Sequence, residues 1–150
     1  MNTYIGIALF VTITESYPVG RTRDGMKRYD PLDVPAQEWL DLSEDERLRL
    51  VEDYHRHVRD RLPNVAAHAA FHVIVENQTA LGDKVPVQRT LDRLMKEGID
   101  RHEAIHAVAT VLAEHMSDLA RGVPSQSDPN APYYAALEKL TVESWQQTYG

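Results

Sequence analysis

Residues 64–81, NVAAHAAFHVIVENQTAL, carry the pattern of a helix buried on most sides. Advanced at 100° per residue, Val65, Ala66, Ala67, Ala69, Ala70, Phe71, Val73, Ile74 and Val75 cover nearly the whole circumference. His68, His72 and Glu76 interrupt that surface at i, i+4 and i+8. They drift by about 40° per step and form one polar stripe on an otherwise apolar rod. Buried imidazoles and a buried carboxylate are costly unless they are hydrogen-bonded, paired or metal-bound. A second polar group is therefore expected opposite the stripe, and HEAIH, residues 102–106, is the best candidate.

On the N-terminal side, Ser43 and Glu46 form an S-x-x-E capping box before an amphipathic run to about residue 61. Leu48, Val51, His55, Val58 and Leu62 share its apolar face, which makes His55 a core histidine bonded to a carboxylate or a backbone carbonyl rather than a ligand. His57 falls off that stripe and is expected in solvent. Trp39 and Leu40 precede the cap and are placed to pack on the helix start. Pro63 separates this helix from the central one. A third helix is expected over residues 86–97, with Val87, Leu91, Leu94 and Met95 inward and Gly98 in the left-handed capping position. The fourth runs from residue 100 to about 121, with Ile105, Val108, Ala109, Leu112 and Met116 on its apolar face and His102 and His106 on one flank. Residues 122–132, GVPSQSDPNAP, are expected to form a polar, mobile loop. A fifth helix follows over about 131–147, packing Tyr134, Leu137, Leu140 and Trp145.

The first 35 residues differ in kind. Ile5, Ile7, Leu9, Val11 and Ile13 alternate with small or hydroxylated residues, the period of a strand, and no other segment reads as one. A lone strand needs a partner for its backbone, so pairing with a second copy in a homodimer is expected. Residues 16–35 hold Pro18, Gly20, Gly25, Pro31 and Pro35 and make an extended connection. Its Arg21, Arg23, Lys27 and Arg28 are a solvated basic loop, because no glycine-rich fingerprint or helix N-terminus accompanies them. The expected fold is mainly α: a single domain over residues 1–150, with an N-terminal extended arm or strand over 1–35 and a helical bundle of about five helices over 36–150.

Composition narrows the chemistry. With no cysteine, thiolate metal sites and cysteine nucleophiles are excluded, so any metal must be held by nitrogen and oxygen. A net charge of -7 argues against a general nucleic-acid surface. Residues 4–13 are apolar but too few to span a bilayer, and no Lys or Arg precedes them as in a secretory signal. A cytoplasmic protein without membrane or nucleic-acid partners is expected.

His102, Glu103 and His106 match the H-E-x-x-H signature of zincin metalloproteases, in which two histidines one turn apart bind Zn²⁺ and the Glu activates a water. Glu103 is the candidate catalytic residue on that match. The context departs from it. Asp100 and Glu103 also spell a capping box, and a carboxylate used as a cap is not free to be a base. The longer metzincin pattern needs Gly and His where the chain has Ala109 and Leu112, and no strand precedes the helix to hold a peptide. If the central and fourth helices lie together, His72 and Glu76 face His102 and His106. That set suits Zn²⁺, Fe²⁺, Mn²⁺ or Ni²⁺, with His68 a further ligand or a supporting partner. Glu103-x-x-His106 is also the E-x-x-H unit of di-iron bundles, with Glu76 as a neighbouring carboxylate, an assembly that needs a two-fold dimer.

Through FHVIVENQ (71–78), DRHEAIHAV (100–108) and LTVESW near the C-terminus, the chain resembles a family of small bacterial proteins defined only as a domain of unknown function. The resemblance covers about residues 29–145 and omits the N-terminal strand. It implies a helical fold in a bacterial cytosol and carries no activity with it. Two functions are left open: a metal-binding protein, as a metal-dependent hydrolase or oxygen-reactive enzyme acting on a small molecule, and a non-catalytic helical interaction or dimerisation module with a metal-free His/Glu network.

Overall fold

The structure is a computed structural model and describes residues 25–58, 62–124 and 128–149. Among these residues the chain is mainly helical and contains no strand. Its α-helices are α1 (Ala36–Asp41), α2 (Glu44–Val58), α3 (Val65–Ala80), α4 (Val87–Lys96), α5 (Arg101–Ala120), α6 (Ala131–Lys139) and α7 (Val142–Tyr149), with a 3-10 turn at Gly82–Lys84. The strand expected over residues 3–14, and the dimer built on it, lie outside the described residues, as do residues 59–61 and part of the loop expected over 122–132. No described helix is long and apolar enough to cross a membrane.

Local signals account for most of the helix starts. Asn64 accepts from Ala67 N at 3.0 Å to cap α3, and Asp100 and Glu103 form a reciprocal box that opens α5. Ser43 and Glu46 do the same for α2. Gly98, at φ 112°, makes the left-handed turn between α4 and α5 that a side chain would resist.

Two differences from the expected five helices have tertiary causes. The six-residue α1 is too short for a periodic signal. Its C-terminal carbonyls are held by Arg47 on α2, whose Nε donates to Trp39 O at 3.0 Å and whose Nη2 donates to Leu40 O at 3.1 Å. Trp39 is fully buried and donates through Nε1 to Asn77 Oδ1 on α3 at 2.9 Å. The expected fifth helix is divided in two at Leu140. Arg93 of α4 donates to the carbonyls of Leu137, at 2.8 Å, and Leu140. Thr141 and Ser144 then cap α7 reciprocally, and Glu97 takes the Val142 N–H at 2.7 Å.

α3 lies between two apolar clusters, which is why it is hydrophobic nearly all round. One joins Val75 to Leu91 and Leu94 of α4, Ile105, Val108 and Leu112 of α5, and Tyr133 and Leu137 of α6. The other joins Ala69 and Val73 to Tyr29, Trp39 and Val51. The ENQ run at 76–78 is buried or half-buried, and each side chain finds a different partner: Glu76 meets Arg101, Asn77 meets Trp39 and Arg47, and Gln78 accepts from Tyr133 Oη at 2.8 Å. Those polar matches fix the rotation of α3, because an apolar rod alone would tolerate several.

Candidate metal centre

Three helices bring imidazoles to one place. α3 contributes His72, α5 contributes His102 and His106 from its first two turns, and α2 contributes His55. One ring nitrogen from each of these four lies within 4.8 Å of the others, so the four can hold a metal ion. Ring centroids are 4.4 Å apart for His102 and His106, 4.5 Å for His55 and His72, and 5.0 Å for His72 with either α5 histidine. His72 Nε2 and His106 Nε2 are 3.0 Å apart. A tetrahedral Zn²⁺ with imidazole nitrogens spaces them by about 3.3 Å, close to the His72–His106 separation. His68 stands beside the four, with its ring 4.4 Å from His55, 4.8 Å from His72 and 5.1 Å from His106.

Hydrogen bonds set the tautomers of the two most buried rings. His55 Nδ1 lies 2.8 Å from Val51 O, so Nδ1 must carry the proton, leaving the Nε2 lone pair for the cluster. His72 Nδ1 lies 3.1 Å from Tyr29 Oη, and that phenol lies 2.8 Å from Glu76 Oε1. A phenol has one proton, and the carboxylate can only accept it. His72 Nδ1–H is therefore the donor to Tyr29, and His72 Nε2 also presents a lone pair to the cluster. Burial, and after it Glu76, raises the Tyr29 hydroxyl well above its ordinary range, which keeps it a neutral donor.

Glu76 occupies a different place from the one expected of it. It is 1% exposed and was predicted as a metal ligand, but it is not in the four-residue set. Arg101 takes both its oxygens, at 2.8 and 2.7 Å, and also donates to Pro31 O at 2.7 Å. A guanidinium fork matches a carboxylate with two parallel bonds, and this one sits only one residue before His102. Glu103 is likewise outside the set: it is exposed at the third position of α5, donor and acceptor to Asp100 in the capping box. His57 is exposed, with Nδ1 on Asp53 O. His55, expected only as a core histidine, enters the set, and Tyr29 and Arg101, not singled out in the sequence, organise its surroundings. The one sequence signal for His55 was an imidazole on the apolar stripe of α2.

Burial first, and then the imidazoles of His55, His106, His68 and His102, drive His72 far below the ordinary histidine range, so it is neutral in the fold. In the unfolded chain it takes up a proton near pH 6.5. Below that pH the unfolded state binds more protons than the native one, so stability is lost as pH falls. Metal-stripped protein is expected to be about 1.4 kcal/mol less stable at pH 5.5 than at pH 7.5 for this one group. Urea unfolding at the two pH values measures it, and equal or greater stability at pH 5.5 contradicts a neutral buried His72.

Compared with protein-family models, with curated proteins and with solved structures, the chain matches none.

Proposed function

We propose that this is a divalent transition-metal-binding protein that holds one ion between α2, α3 and α5 through His55, His72, His102 and His106, with His68 alongside. The observation that supports it is the convergence of four imidazoles from three helices, two of them with the ligating lone pair turned inward by bonds at the opposite nitrogen. The donors are all neutral nitrogens, which favour borderline ions such as Zn²⁺, Ni²⁺, Co²⁺ or Fe²⁺ over oxygen-seeking Mg²⁺, Ca²⁺ and Mn²⁺.

Four protein ligands fill a tetrahedral shell, the arrangement of ions that hold structure, whereas hydrolytic sites keep a position open for water. With Glu103 committed to capping, this supports a metal that ties three helices together over a hydrolase. Untagged protein is expected to contain, or to take up from the metal salt, about one equivalent of Zn²⁺. Saturation at about a thousand times the dissociation constant adds about 4 kcal/mol, or roughly 10 °C in melting temperature. Less than a tenth of an equivalent of any transition metal after incubation and desalting would overturn the proposal. It would leave the second reading, a metal-free network in which the 3.0 Å contact between His72 and His106 is a single N–H···N hydrogen bond.

A further inference from the structure

We infer that Tyr29, with Glu76 and Arg101 behind it, is a positioning residue for the metal: it commits His72 to ligation through Nε2 and strengthens that nitrogen as a donor. The inference rests on the metal-binding function proposed above. Four side chains form one line, from Arg101 to Glu76 at 2.7 Å, from Glu76 to Tyr29 at 2.8 Å and from Tyr29 to His72 at 3.1 Å. Tyr29 is 4% exposed and Glu76 and His72 are each 1% exposed, so water is a poor substitute for any of these partners. A carboxylate accepting from the phenol makes the phenol oxygen a better acceptor in turn. The Nδ1–H of His72 is then more strongly drawn to Tyr29, electron density rises at Nε2, and the ring is held from rotating.

The carboxylate thus acts on the metal through a phenol instead of binding it. The sequence places the components where this works. Tyr29 comes from the extended segment before α1, and the same Arg101 that orients Glu76 also holds that segment by its Pro31 carbonyl. The Tyr29 ring packs edge-on against Tyr54 at 5.6 Å and lies 5.9 Å from Trp39, contacts that do not use the hydroxyl. Removing the oxygen alone therefore leaves the ring its packing partners.

The test uses full-length protein and Co²⁺, whose visible spectrum reports ligand field and whose affinity follows from competition with a chelator. Tyr29→Phe is expected to weaken Co²⁺ binding 10- to 100-fold and to shift the visible bands. Tyr133→Phe is the matched control, because Tyr133 is also a fully buried tyrosine whose hydroxyl donates to a side chain of α3, Gln78, and whose ring stacks on His115, which is not one of the four proposed ligands. It is expected to lose comparable fold stability with Co²⁺ affinity and spectrum unchanged. Wild-type protein that binds Co²⁺, together with Tyr29→Phe binding within twofold of it, would overturn the positioning role while the metal site stands. Equal losses in both variants would also overturn it, as a general effect of stability. Wild-type protein that binds no Co²⁺, Zn²⁺ or Ni²⁺ would remove the metal site and this inference together.

Discussion

Zn²⁺ affinity is expected to fall by two to three powers of ten when His55 or His72 is replaced by alanine, and to be unchanged in His57→Ala. Structural zinc sites bind with roughly 10–16 kcal/mol, so each of four ligands carries about 2.5 to 4 kcal/mol. His55 is the discriminating position. A site made from α3 and α5 alone survives its loss, whereas the arrangement of His55, His72, His102 and His106 within 4.8 Å does not. Competition titration with a chromophoric chelator measures the constants, and circular dichroism of each metal-free variant separates lost ligation from lost folding. Full affinity in His55→Ala would return the site to two helices. His57, exposed on α2 and bonded to the Asp53 carbonyl one turn back, controls for loss of a histidine as such.

Arg101→Met is expected to cost about 3–5 kcal/mol of fold stability. Glu76 is 1% exposed and Arg101 13%, so the change strands a carboxylate in the core with Tyr29 as its remaining hydrogen-bond donor among the described residues. The cost is that of an uncompensated buried charge and not the worth of the ion pair. The double variant Glu76→Gln, Arg101→Met follows from this: it should regain most of the loss, since an amide oxygen still accepts from Tyr29 and no charge is left. Urea unfolding midpoints of the wild type and the two variants provide the comparison. A single variant within 1 kcal/mol of the wild type would show that Glu76 is relieved by some other group.

Much of the fold was legible because it depends on near neighbours in the chain. The all-round apolar surface of α3, the boxes at Ser43 and Asp100 and the turn at Gly98 are local features, and each lies where the pattern predicts. The short α1 and the break at Leu140 were hidden for the opposite reason. The first is anchored by Trp39 on Asn77, 38 residues away, and the second by Arg93, 47 residues from the carbonyl of Leu140. No window of sequence holds both ends of such a bond.

The candidate site divides in the same way. The i, i+4 spacing marked His68 with His72 and His102 with His106 as groups that share a helix face, and their imidazoles do come together. His55 could not be joined to them from the sequence, because a single histidine on an apolar stripe has no periodic companion. Glu103 had two readings in the sequence, and its bonds to Asp100 are those of the cap.

Glu76 states the boundary most clearly. Its place on the polar stripe of α3 was determined by the sequence alone, since helical geometry decides which residues share a face. The choice of partner was made by tertiary structure. An imidazole cluster and a guanidinium both lie near the end of that stripe, and the carboxylate goes to the donor that offers two parallel bonds at 2.7 and 2.8 Å. Periodicity determines direction about a helix axis; which of several polar groups is met in that direction depends on distances between helices, and those are set only when the bundle packs.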